Sequence, residues 1–159
     1  PLQVAEVATP IATATVRRLV GKKLAVVAFL RAGLIMADGI LNLVHNSAAA
    51  EVMVLAMKSG LDPKLVHEVI GGSASSSAMF EVRGAMMARN DYRHEGMNFS
   101  IPLMDARIFS AHAADLHCPL PIYHAALQLY YAAVAQGHHD EDAAAVCAAM
   151  ERAANVERR

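Results

Sequence analysis

Three groups of side chains in this sequence carry residue types that chemistry needs. His138-His139-Asp140 with Asp142 puts imidazole and carboxylate donors within five residues. Such donors bind zinc, but metal sites draw their ligands from more than one element and this group is local. The cluster therefore reads as an exposed helix N-terminus, and no metal is expected. His112 and His117 are five apart, a poor spacing for one helix face, with Cys118 next to them. Ser75-Ser76-Ser77 could hold a nucleophile or cradle a phosphate. No base stands at a suitable spacing, so helix capping is the favoured reading. Arg31 follows the apolar run 24–30 and, taken alone, reads as a cation beside a strand end.

Composition limits what these groups can serve. A chain of 159 residues is one ordinary domain or one and a half small ones, long enough for a real core. Mean hydropathy is +0.31, and much of the apolar content is alanine, the best helix former. Arg31, Asp38 and Glu51 interrupt the longest apolar stretches before the ~18 residues of a membrane span, so no membrane partner is expected. No secretory signal is expected either. A net charge of -1 with no Trp speaks against a nucleic-acid partner. Cys118 and Cys147 lie on apolar helical patterns and read as reduced and buried, as in a cytoplasmic protein.

The elements that must position the candidates fall into two unlike parts. Residues 1–46 hold five Lys or Arg against Glu6 and Asp38; residues 47–159 hold nine against thirteen acidic residues. Residues 4–7 and 13–20 contain β-branched residues and are separated by Thr9-Pro10. The run 24–30 fits a strand buried on both faces, or a backward extension of the helix that follows. From Leu34 to Met57 the apolar spacing is helical, and Gly60 marks a C-cap. Asp62-Pro63 opens the next helix and Gly71-Gly72 closes it. Ser73 to Ser77 caps a helix through Phe80, Arg83 and Met87, and another spans 103–116. Pro121 begins a long helix closed by Gly137. A last helix carries Asp140, Glu141 and Asp142 in its first turn and runs to about Asn155, after which the tail frays.

Residues 48–155 resemble a known helical domain. Glu51 through Ser59-Gly60-Leu61-Asp62, Ser76-Ser77-Ala78-Met79-Phe80-Glu81-Val82-Arg83-Gly84, Asp105-Ala106-Arg107, Pro119-Leu120-Pro121, Tyr130-Tyr131-Ala132-Ala133, Gln136-Gly137-His138 and Glu141-Asp142 stand in family order. The stretch is similar to the C-terminal domain of the β-hydroxyacid dehydrogenases, of the 3-hydroxyisobutyrate and L-threonate type. The resemblance implies an all-α domain that packs on a Rossmann domain and dimerises, with NAD(P) as the parent family's cofactor. It also implies a lysine sixteen residues before Glu51, polarising the substrate hydroxyl, and another before Asp105, reaching the cofactor. Here those positions hold Ile35 and Met104, and an Asn expected beside the first is Asp38. Ile and Met cannot transfer a proton. The glycine-rich phosphate loop after a first strand is absent, so no cofactor is expected on this chain alone; the resemblance leaves Asp105 as a candidate cofactor contact and Ser76 and Ser77 as candidate substrate contacts.

The first part resembles another family. Thr9-Pro10-Ile11, Arg18-Leu19, Gly21-Lys22-Lys23, Leu30-Arg31-Ala32-Gly33-Leu34 and Met36-x-Asp38-Gly39 look like the middle of a uracil phosphoribosyltransferase. That resemblance implies a strand followed by a helix, with Arg31 near a pyrophosphate. Its phosphoribosyl-pyrophosphate loop and uracil-binding segment are missing. The expectation is a mainly α protein: five to seven helices of the 6-phosphogluconate dehydrogenase C-terminal-domain type, after an extended or β segment. Residues 1–32 form that segment and residues 33–159 the helical domain. A sequence seam near 45–49 points to a chimera. The expected function is a catalytically silent, homodimerising helical module. Part of an NAD(P)-dependent oxidoreductase, or residual phosphoribosyl binding, are the alternatives.

Overall fold

The computed structural model describes the backbone of residues 2–9, 12–19, 23–93 and 97–158, and their side chains except at 2–3, 17–19 and 23–32. The chain opens with an antiparallel hairpin. Strand β1 (Leu2–Ala8) pairs with β2 (Thr13–Leu19) in the register Ala8↔Thr13 to Leu2↔Leu19. The β-branched runs thus find each other. Thr9 closes the turn, its N–H donating to the Ala12 carbonyl at 2.9 Å and its Oγ1 accepting from the Ala12 N–H at 3.1 Å.

The long helix α1 (Lys23–Lys58) follows. The strand reading of residues 24–30 is corrected here: they are the first turns of α1, and the extended segment ends at Leu19, not at residue 32. An apolar run without period fits either element. In a helix it satisfies its own backbone hydrogen bonds, whereas a third strand would need a partner. Residues Gly33–Lys58, with a mean hydropathy of 1.4 in their most apolar window, are long and apolar enough to cross a membrane. Within the fold, α1 is the spine of the bundle, with Leu43, Asn46, Ala50 and Met53 buried. Gly39 has a packing reason: a Cβ there would lie 2.8 Å from the Phe109 ring, so α1 passes close to its neighbour.

Helix ends follow local signals. Gly60 has φ +83°, and the Leu61 N–H returns to the Ala56 carbonyl at 3.0 Å. Asp62 caps α2 (Pro63–Gly71) by accepting from the Lys64 N–H at 2.9 Å. Ser77 Oγ accepts from the Phe80 N–H at 3.0 Å and leads into a π-helical segment (Phe80–Gly84) that continues as α3 (Ala85–Arg89). Helices α4 (Ser100–Asp115) and α5 (Pro121–Ala135) come next. A 3-10 turn (Ala143–Ala145) then enters α6 (Val146–Ala153). Three expectations change at this end. The last helix begins after Asp142 rather than at Asp140, because the Asp142 carboxylate caps it from outside, accepting from the Ala144 N–H at 2.8 Å. The tail is held, not frayed: Arg158 Nε donates to Glu151 Oε2 at 2.8 Å, and Lys58 Nζ donates to the Asn155 carbonyl at 2.8 Å. Cys118 is exposed in the α4–α5 connector, while Cys147 is buried.

The core lies where α1, α5 and α6 meet. Residues 143–147 are fully buried, and their small side chains let α6 press against α1 and α5. Phe99 and Tyr130 meet edge to face with ring centroids 5.4 Å apart.

Candidate functional site

A buried polar network ties four elements together. Arg83, on the π-helical segment, sits three residues after Phe80 and four before Met87, so the helical period turns it toward the core. Its Nε donates to Asp142 Oδ1 at 3.1 Å, with both side chains below 10% exposure. The other Asp142 oxygen accepts from the Met97 N–H at 3.2 Å. From α1, Asn46 Nδ2 donates to Tyr130 Oη at 2.8 Å and to the Ala143 carbonyl at 2.9 Å. Burial raises the Tyr130 phenol above its usual range.

Beside this network lies a cavity of 40 Å³ between α1, α4 and α5. Arg83, Asn42, Asp105, Tyr123 and Tyr130 bring polar groups to its wall, and Gly39, Leu43 and Phe109 close it. Burial pushes the Tyr123 phenol up to about 12, and the Asp105 carboxylate adds to that rise. Desolvation also raises the Asp105 carboxyl. None of Arg83, Tyr123 or Tyr130 was a candidate from sequence. The signal for Arg83 was its place on the apolar face of Phe80 and Met87. The two tyrosines carry no comparable mark, because their burial depends on α4 and α5 closing over them.

A second pocket, of 240 Å³, collects Ser75, Ser76 and Ser77 with His45 over Ala49, Val52, Ile70 and Phe80. Ser76 Oγ donates to Glu81 Oε1 at 2.7 Å, and Ser77 Oγ is the cap on Phe80. Both hydroxyls are therefore engaged with their own chain, and neither is set up as a nucleophile.

The remaining candidates disperse. Ile35 is 67% exposed and Met104 57% exposed. Asp38 accepts from Asn42 Nδ2 at 3.0 Å on α1. The Arg31 side chain lies outside the described residues. His138 pairs with Glu141 and His139 with Asp140, each at 2.8 Å, while Asp142 is committed to Arg83. Among the described residues no three metal-ligating side chains converge.

Comparison with known proteins agrees with this helical core. Residues 36–150 match the family model described as NAD-binding of NADP-dependent 3-hydroxyisobutyrate dehydrogenase. The L-threonate dehydrogenase of Cupriavidus necator is 37% identical over 103 residues, 65% of this chain and 34% of its own length. The chain thus spans about a third of the length of the dehydrogenases it matches. The crystal structure of 3-hydroxyisobutyrate dehydrogenase from Salmonella typhimurium superposes with a TM-score of 0.69 at 30% identity, covering 73% of this chain and 40% of that one. A shorter stretch is similar to another family. The uracil phosphoribosyltransferase of Staphylococcus haemolyticus is 60% identical over 51 residues, 32% of this chain and 24% of that enzyme. The dehydrogenase match begins at residue 36, ahead of the seam expected near 45–49. By its matched span and its fold, this chain belongs to the family of the NAD-binding domain of NADP-dependent 3-hydroxyisobutyrate dehydrogenase.

Proposed function

We propose that this chain is a catalytically silent, dimerising helical module of the β-hydroxyacid dehydrogenase family, joined inside α1 to a segment from a uracil phosphoribosyltransferase. One observation carries the reading. The positions where the family resemblance implies lysines hold Ile35 and Met104, both exposed and neither ionisable. No proton can be taken from a substrate hydroxyl by either. Titration with NADH and NADPH should give no saturable binding, and neither 3-hydroxyisobutyrate nor L-threonate should be oxidised. Turnover of either acid would overturn the silence.

The dimer rests on an apolar groove of 460 Å³ between α1 and α2. Leu55, Leu65 and Val69 line it at 69%, 53% and 64% exposure, more apolar surface than a lone helix pair keeps in water without cost. A second copy of the same face would cover it. Light scattering should report a dimer, and Leu55→Arg with Leu65→Arg should give a folded monomer. A monomeric parent chain would sink this part.

A second reading is an oxidoreductase segment that works with a cofactor domain supplied separately. The NAD-binding description of the matched family favours it. Its proton acceptor would have to come from elsewhere than residues 35 and 104. A third, residual phosphate binding at Arg31, draws on the phosphoribosyltransferase similarity. It requires that Arg31→Ala abolish measurable affinity for phosphoribosyl pyrophosphate.

A further inference from the structure

The chain after α6 folds back over a buried polar cluster. Lys58, the last residue of α1, donates from Nζ to the Ala154 and Asn155 carbonyls at 3.0 and 2.8 Å. Asn155 has φ +50°, the left-handed turn that reverses the chain. The Val156 N–H then returns to the Glu151 carbonyl at 2.9 Å, and the Val156 side chain packs on the core. Two residues on, Arg158 grips the Glu151 carboxylate through Nε at 2.8 Å and through Nη2, which also donates to Tyr92 Oη at 3.2 Å. The Cys147 thiol donates to the same carboxylate, at Oε1, over 3.3 Å. Cys147 is fully buried, with Tyr92 and Glu151 buried beside it.

These contacts differ in strength. Val156 is the one apolar side chain in residues 155–158, so hydrophobic burial holds the segment weakly. The strong contact is ionic. Among the described residues Arg158 is the cation paired with Glu151, and a buried carboxylate is costly without one. Solvent reaches this lock from outside. Arg158 stays 21% exposed and, with Glu157, walls a 500 Å³ cleft beside Lys64 and Arg89. A segment held by one apolar contact and a few polar ones belongs to the low end of local stability.

We propose that residues 155–158 form a strap, locked by Arg158 on Glu151, that opens while the helices stay folded and so gates access to Cys147. Closed, the strap keeps the thiol inert. Burial pushes the Cys147 thiol up to about 12, the Glu151 charge adds to that rise, and only the thiolate is nucleophilic. Open, it removes Arg158 from both side chains that flank the sulfur, Glu151 and Tyr92. The strap involves neither Ile35, Met104 nor the Ser75–Ser77 pocket, and it stands or falls separately from the dehydrogenase reading.

The test is alkylation of the intact chain by iodoacetamide near neutral pH, with each cysteine followed by mass spectrometry across a urea series. Cys118 is exposed and should react at once, as the reference. Cys147 should react slowly, at a rate almost independent of urea below the unfolding transition, because a local opening uncovers little surface. Arg158→Ala should raise the Cys147 rate about tenfold and leave Cys118 unchanged. If Arg158→Ala does not fold, Lys58→Met decides. It frees the first turn of the strap without leaving a buried charge, and should raise the Cys147 rate several-fold with the helical spectrum unchanged. Three results overturn the strap: a Cys147 rate that climbs with urea in step with unfolding of the whole bundle, a Cys147 as fast as Cys118 in the parent chain, or an unchanged rate in a variant that folds. The urea series on the parent chain decides even if neither variant folds.

Discussion

The hairpin and the helical bundle are stabilised in different ways. In the hairpin, β1 and β2 pair with each other in a two-stranded sheet, and Val4 and Val16 stay 69% and 38% exposed. A lone two-stranded hairpin is marginal in water. In the bundle, residues far apart in sequence share buried polar bonds. Arg83 meets Asp142 across 59 positions, and Asn46 meets Tyr130 across 84. The family match begins at Met36, the first of the described α1 side chains that packs on the core. Local pairing is enough to draw a hairpin; cooperative burial is what makes the bundle a unit.

That contrast can be broken most sharply at Asp142. Asp142→Ala removes the Arg83 partner and the acceptor for the Ala144 and Met97 N–H groups. It should cost about 3–5 kcal/mol, since the buried Arg83 charge is left uncompensated. Urea unfolding would measure it, and a loss below ~1 kcal/mol would mean the network is solvated. Tyr130→Phe is milder: Asn46 keeps the Ala143 carbonyl, and a loss of about 1 kcal/mol is expected by the same assay.

Asp105 tests the bundle by pH. Its folded-state carboxyl is raised above the ordinary 3.8 by desolvation. The protonated form therefore favours the fold below that value, and the benefit fades as pH rises through the raised one. Asp105→Asn should raise Tm at pH 7 and leave it unchanged near pH 3; a variant less stable at pH 7 would reverse the sign. The smallest effect is expected in the hairpin. Val16→Asp should change bundle unfolding by no more than about 0.5 kcal/mol. A larger loss would show that the hairpin and bundle unfold as one.

Much of the helical scaffold was legible because its boundaries are written in local chemistry. Asp62-Pro63 can start a helix and Gly60 can stop one whatever surrounds them, and the structure uses each where expected. The run 24–30 was not legible, because an apolar stretch without period satisfies a strand and a helix equally. Asp142 was misplaced by one turn for a related reason. A carboxylate before an alanine run reads the same as a first-turn residue or as a cap, and its burial against Arg83 decides between them. The site was harder still. Ile35 and Met104 could be named from family order, but the cavity at Arg83, Tyr123 and Asp105 exists only when three helices close.

By itself, then, the amino-acid sequence determined the helical composition, most helix ends, the pairing potential of the two N-terminal runs and the loss of ionisable side chains at positions 35 and 104. Each of these follows from properties that a residue and its near neighbours carry with them. The tertiary structure alone decided that Gly39 makes room for Phe109, that Arg83 is buried against Asp142, and that Arg83 and Tyr123 line one cavity. Those outcomes depend on which surfaces lose water together, and desolvation belongs to the packed assembly, not to any one segment of the chain.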